Sequence, residues 1–221
     1  MRVKKGKRMK NQSMVHLRVL ILGAMLFFPT EHVLAFDVCG ELRNAYGPYD
    51  YRVADRQKIS IVEQYHFDAG VESLTKAKTS TSGFGGDLDY TLRAVPNHHR
   101  ALMTLRILAA REKTDKPRGS RYTVDCWFRR AERFAPDDVM VKTIYGLYLA
   151  QVKQSKAARE KLEQARSMNS SDPNVHYNLG LVYFDLGEYA LARESARKAY
   201  AGGFPLPGLR EKLKRAGQWV E

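Results

Sequence analysis

The residue types best suited to chemistry crowd between positions 66 and 99. His66, Asp87, Asp89, His98 and His99 are of the kinds that ligate a divalent metal. Neighbouring histidines on a helix point about 100° apart, and no other histidine lies one turn from either. The spacing does not prebuild a site, so no metal or other cofactor is expected. Gly83-x-Gly85-Gly86 has the glycine density of a phosphate loop, but no Lys-Ser/Thr follows it. Asp87 would also set a carboxylate where phosphate must sit. A Ser nucleophile is not indicated, because no G-x-S-x-G elbow occurs. Cys39 and Cys126 are the only two thiols, too few for a disulfide-dense miniprotein or a four-thiolate zinc site. The expected protein is not an enzyme. The alternative is an enzyme whose site lies in residues 36–96, with the rest of the chain as a docking platform.

Compartment decides how the two cysteines are read. Residues 1–18 are basic, residues 19–28 (VLILGAMLFF) are apolar, and Val33-Leu34-Ala35 offers small side chains before Phe36. That is the three-part plan of a secretory signal over 1–35. The apolar run is about half of the roughly 20 residues a bilayer span requires. The expectation is a periplasmic or secreted protein with no stable membrane span after processing. Met14 is an alternative start, and Asp37-Val38 before Cys39 does not fit lipoprotein processing. In an oxidising compartment the two thiols are expected to pair as Cys39–Cys126. Seven of the 37 basic residues and one of the 24 acids fall within 1–35, so the formal +13 becomes +7 spread along the remainder. No nucleic-acid partner is expected from so dispersed a balance.

The elements that must position these residues repeat. Val124, Phe128, Ala131 and Pro136 return 34 residues on as Ala158, Leu162, Ala165 and Ser170, then as Ala192, Ala196, Ala199 and Phe204. Offsets of 4 and 3 place the first three of each set on one helical face. Ahead of them, Tyr145-Gly146-x-x-Leu149 and Leu179-Gly180-x-x-Tyr183 share the spacing. Leu105-Arg106-x-x-Ala109 comes six residues early, and the loop 112–121 absorbs the excess.

This pattern resembles the tetratricopeptide repeat family. The third unit, His176-x-x-Leu179-Gly180-x-x-Tyr183 with Gly187, Ala192 and Ala199, is the most similar. It departs at His176 and at Ala196, and the first unit has Arg106 where a small residue is usual. The block from Cys39-Gly40 through YGPYDYR to GDLDYTLRAVPNHHRAL resembles exported bacterial tetratricopeptide proteins of unassigned activity. The resemblance implies an all-α fold, a right-handed solenoid of helix-turn-helix repeats with a C-terminal capping helix and a partly irregular N-terminal extension.

Helix pairs are expected near 97–112 with 121–135, 139–152 with 155–168, and 173–186 with 188–201. Three repeats thus fill 97–204, and a capping helix fills 205–221. Asp172-Pro173 reads as an N-cap and first helical residue, and Leu206, Leu209 and Leu213 are expected to cover the end of the stack. Residues 36–96 read as an N-terminal extension, with a degenerate repeat as the alternative. Ile59 to Phe67 reads as a short strand or helical turn, Asp68 caps a short helix to Lys78, 79–86 is a flexible link, and Asp87 caps a helix ending before Pro96.

In the family the first helix of each pair lines a concave groove, which implies a protein or peptide partner. Transferred residue by residue, that face is Arg100, Met103, Ile107, Ala110 and Arg111, then Met140, Thr143, Leu147, Ala150 and Gln151, then Asn174, Tyr177, Leu181, Phe184 and Asp185. Members that bind chaperones clamp a terminal carboxylate with Lys and Asn, where this chain has Met103, Ile107, Thr143 and Leu147. The expected ligand is an apolar or aromatic segment, unless the chain's own N-terminal segment covers the groove. Cys126 is rotated about 200° from Val124, so the disulfide is expected to hold Cys39 on the outer side of the stack and leave the groove open.

Overall fold

The computed structural model describes residues 39–169 and 171–219, so the reading of 1–35 as a signal lies outside the described residues. Ten helices carry the described chain and no strand occurs among those residues. They are α1 (Arg56–His66), α2 (Ala69–Glu72), α3 (Gly83–Ala94), α4 (His99–Glu112), α5 (Val124–Phe134), α6 (Val139–Gln151), α7 (Ser155–Met168), α8 (Pro173–Asp185), α9 (Tyr189–Ala201) and α10 (Gly208–Arg215). From α4 to α9 they pair in order, and α4, α6 and α8 also touch in succession.

Small residues make the pairing close. A Cβ on Gly146 would lie 2.6 Å from Leu162 Cγ, and one on Gly180 would lie 2.4 Å from Leu209 Cδ2. Ala158, Leu162, Ala165, Ala192, Ala196 and Ala199 are all fully buried on the opposing helices. The period of 34 therefore records helix crossings. Helix starts are fixed locally. Asp138 and Asp172 accept backbone N–H bonds at the heads of α6 and α8, as Thr123 does for α5.

Four expectations are corrected. Residues 56–66 form neither a strand nor a single turn but an eleven-residue helix, with Ile59 and Val62 inward. The helix capped by Asp68 stops at Glu72 rather than running to Lys78. The glycine-rich link is not a free connector. Helix α3 begins at Gly83, so Asp87 lies inside it, and its carboxylate accepts from Lys78 N (2.8 Å), Thr79 N (3.2 Å) and Thr79 Oγ1 (2.6 Å). Gly85 is small because the loop 112–121 crosses it, with Arg118 O only 2.1 Å from a built Cβ. Finally, Leu209 and Leu213 are buried under the stack, but Leu206, held between two prolines ahead of α10, is 57% exposed.

The segment 39–55 is a strap that runs over α5 and α3 and ends at the heads of α4 and α6. Cys39 and Cys126 are joined, with Sγ–Sγ at 2.07 Å. Arg130 Nη1 donates to the carbonyls of Cys39 (2.8 Å), Gly40 (3.1 Å) and Glu41 (2.8 Å). The chain then passes to α3, where Arg93 Nη1 meets Asn44 Oδ1 at 2.9 Å and Tyr49 N meets Ala94 O at 2.9 Å. Tyr46, Tyr49 and Tyr51 pack there on a second small core of Ile59, Val62, Ala94 and Val95.

Candidate functional site

Helices α4, α6 and α8, which touch in succession, build the face expected to form the groove. Ile107 is 46% exposed, Met103, Leu181 and Phe184 are half-buried against the core, and Leu147 is half-buried. Arg111 is exposed, and its Nη1 donates to Leu74 O at 2.8 Å. Arg100 is tied down: its guanidinium pairs with Glu72 through Nε at 2.7 Å, and Nη1 lies 3.3 Å from Glu63. At the α4 and α6 ends a cavity of about 430 Å³ opens, lined by Ala110, Lys113, Asp115, Tyr148, Gln151 and Val152 among others.

Two expected groove residues lie elsewhere. Thr143 is buried, and its hydroxyl donates back to Val139 O at 2.8 Å. Tyr177 is stacked on Phe204 with ring centroids 4.1 Å apart, and Gly208 closes over its hydroxyl. The last repeat ends where α10 begins, so the cap takes Tyr177 into its own packing. Phe184 is partly shared in the same way, with Tyr189 edge-on at 5.3 Å and Lys212 Nζ at 4.8 Å.

Of the histidine and carboxylate set of the N-terminal region, His66 and Asp87 meet, with Nδ1 3.6 Å from Oδ1, while Asp89 pairs with Arg93 and the two remaining histidines go to separate bonds. His98 is buried between Tyr51 and Phe67. Its Nδ1 accepts from Ala101 N at 3.2 Å, which leaves Nε2 to donate to Glu63 Oε1 at 3.1 Å. Burial lowers the His98 pKa, against the opposing pull of Glu63. His99 Nε2 lies 2.8 Å from Asp138 Oδ2, while His66 stacks on Tyr90. Asn97 joins strap to repeats, accepting from Tyr51 N and donating to both Asp50 and Asp138. Among the described residues no three His, Cys, Asp or Glu side chains gather as metal ligands. Sequence reasoning missed this junction, because Asn97, Asp50 and Asp138 are far apart along the chain.

Residues 173–201, the whole α8–α9 pair, match the tetratricopeptide repeat family model. The chain carries a tetratricopeptide repeat. Among solved structures, that described as the functional characterization of Pseudomonas aeruginosa pilF is similar at 20% identity and TM-score 0.50, covering 72% of this chain and 68% of that one. A MamA crystal structure is similar at 19% identity and TM-score 0.49, with 68% and 86% covered. No curated protein matches the sequence significantly. The likeness to the first of these concerns the fold alone, an all-α stack of helix pairs. No described helix is long and apolar enough to cross a membrane.

Proposed function

We propose that this protein is an exported, non-enzymatic scaffold whose tetratricopeptide stack holds a protein or peptide partner in an envelope or secretion assembly. The observation that carries the reading is the course of the strap. Residues 39–49 bond to α3 and α5, and residues 63–74 engage Arg100 and Arg111 at one end of the face, while Met103, Ile107, Leu147 and Leu181 keep exposed area along α4, α6 and α8. Apolar side chains in a concave strip are what a docking segment buries. Export to the periplasm or medium rests on the basic and apolar pattern of 1–35 and is supported by the paired thiols. Against the alternative of an active site in 36–96, His66 is stacked on Tyr90 and the Asp87 carboxylate accepts from Lys78 N and Thr79 N.

Photo-cross-linkers placed at Ile107 and Leu147 in the cell should capture one common partner, whereas one at Glu160 on the outer helix α7 should not. Equal yields from both faces would remove the groove from the proposal. Intact-mass measurement on the exported protein should give a chain that begins at Phe36.

A further inference from the structure

Arg106 occupies the place that Gly146 and Gly180 hold in the other two units. Its side chain turns toward α6: Nη1 donates to Gln151 Oε1 at 2.8 Å and Nη2 to Met103 Sδ at 3.3 Å, while Nε is buried without an acceptor. Both acceptors are neutral, and a thioether is a weak one. Among the described residues no carboxylate pairs with this guanidinium, and burial pulls its pKa down unopposed. Half-burying a cation without a counter-ion costs free energy that a small residue at the same position would spare. The fold itself gains little from the charge.

The surroundings are also short of negative charge. Helix α6 contains no acidic residue, and α4 contains Glu112 alone, which accepts from Arg118 N at 3.1 Å. Arg111 and Lys113 follow on the same stretch and are exposed, with Asp115 the one carboxylate on the cavity wall. Met103 and Gln151, which flank the guanidinium, are both groove positions, and Ile107 and Leu147 lie beside them. The result is a positive centre set in an apolar strip.

We infer that Arg106 anchors an Asp or Glu side chain of an otherwise apolar peptide segment lying between α4 and α6, a reading that rests on the groove function proposed above. The incoming carboxylate displaces the Met103 thioether from Nη2, replacing a weak neutral acceptor with a charge-assisted bond. Gln151 steadies the guanidinium from the other side. The charge comes from a helix-crossing position, whereas the positions of the family's carboxylate clamp hold Met103, Ile107, Thr143 and Leu147.

Amidated random peptides selected on the purified full-length chain test this, since a side chain is then their only source of carboxylate. Selected sequences should carry Asp or Glu between apolar residues. Arg106→Gln in the protein, or the acid-to-amide change in a selected peptide, should each weaken binding about 10- to 100-fold, and the two together little more. Arg106→Lys should fall between, having charge without the planar fork. In urea, Arg106→Gln should be at least as stable as the parent; easier unfolding would mark Arg106 as structural and overturn the inference. Peptides that lose binding with Ile107→Asp but show no acid preference would overturn it while leaving the scaffold reading intact. Selection of no peptide at all would overturn both.

Discussion

Arg130→Met asks most directly what holds the strap on the repeats. Arg130 is 2% exposed, and its Nη1 serves three strap carbonyls between 2.8 and 3.1 Å. Its guanidinium also lies 4.8 Å from the Tyr122 ring centroid and 5.2 Å from that of Trp127. One amino group has two hydrogens, so the three contacts amount to about two charge-assisted bonds, or about 3–6 kcal/mol net of their desolvation. Contact with two rings adds about 1–2 kcal/mol. Methionine fills the same space without a buried charge and so recovers part of this. The buried carbonyl of Cys39 then lacks its donor, at about 1–3 kcal/mol. The net expectation is a loss of about 2–4 kcal/mol, seen as a lower urea midpoint with an unchanged slope. The disulfide keeps the strap tethered, so hydrogen exchange should rise first in residues 40–46 and leave α6 to α9 protected. A variant within about 0.5 kcal/mol of the parent, with 40–46 still protected, would refute this account of the strap.

Acid should loosen the junction between strap and repeats. Burial holds the His98 pKa below its ordinary value, so the folded state stays neutral where the unfolded chain has begun to bind a proton; stability is full above about pH 6.5 and falls as pH drops toward the folded pKa. Urea midpoints at neutral and mildly acidic pH should show that slope, and His98→Gln should flatten it. Gly146→Ala should cost about 1–3 kcal/mol despite the better helix propensity of alanine, because the new Cβ meets Leu162 Cγ at 2.6 Å; thermal melts measure it. Ile107→Asp should change stability by less than about 0.5 kcal/mol yet weaken partner binding, whereas Tyr177→Ala should destabilise by about 2–4 kcal/mol through lost packing under the cap. The opposite ranking in melts would return Tyr177 to the open groove.

The sequence alone determined the repeated helices, since an interval of 34 with Gly or Ala at fixed places is a one-dimensional record of where two helices must cross. Helix heads such as Asp172-Pro173 were equally legible, because a cap is made within three residues. That Cys126 turns away from the line of Val124, Phe128 and Ala131 is likewise a matter of helical rotation alone. Tertiary structure decided whatever depends on distant partners. Nothing local in YGPYDYR announces that these tyrosines pack on α1 and α3, or that Asn97 ties Asp50 to Asp138 across 41 and 47 residues of chain. Tyr177 and Leu181 were read onto one groove face, but only Tyr177 is buried, with Phe204 stacked on its ring and Gly208 against its hydroxyl; a helical face does not say which of its positions neighbouring segments cover. The groove was thus readable as a face. Which of its side chains stay open, and which charge among them lacks a partner, was settled by packing between helices that the sequence places far apart.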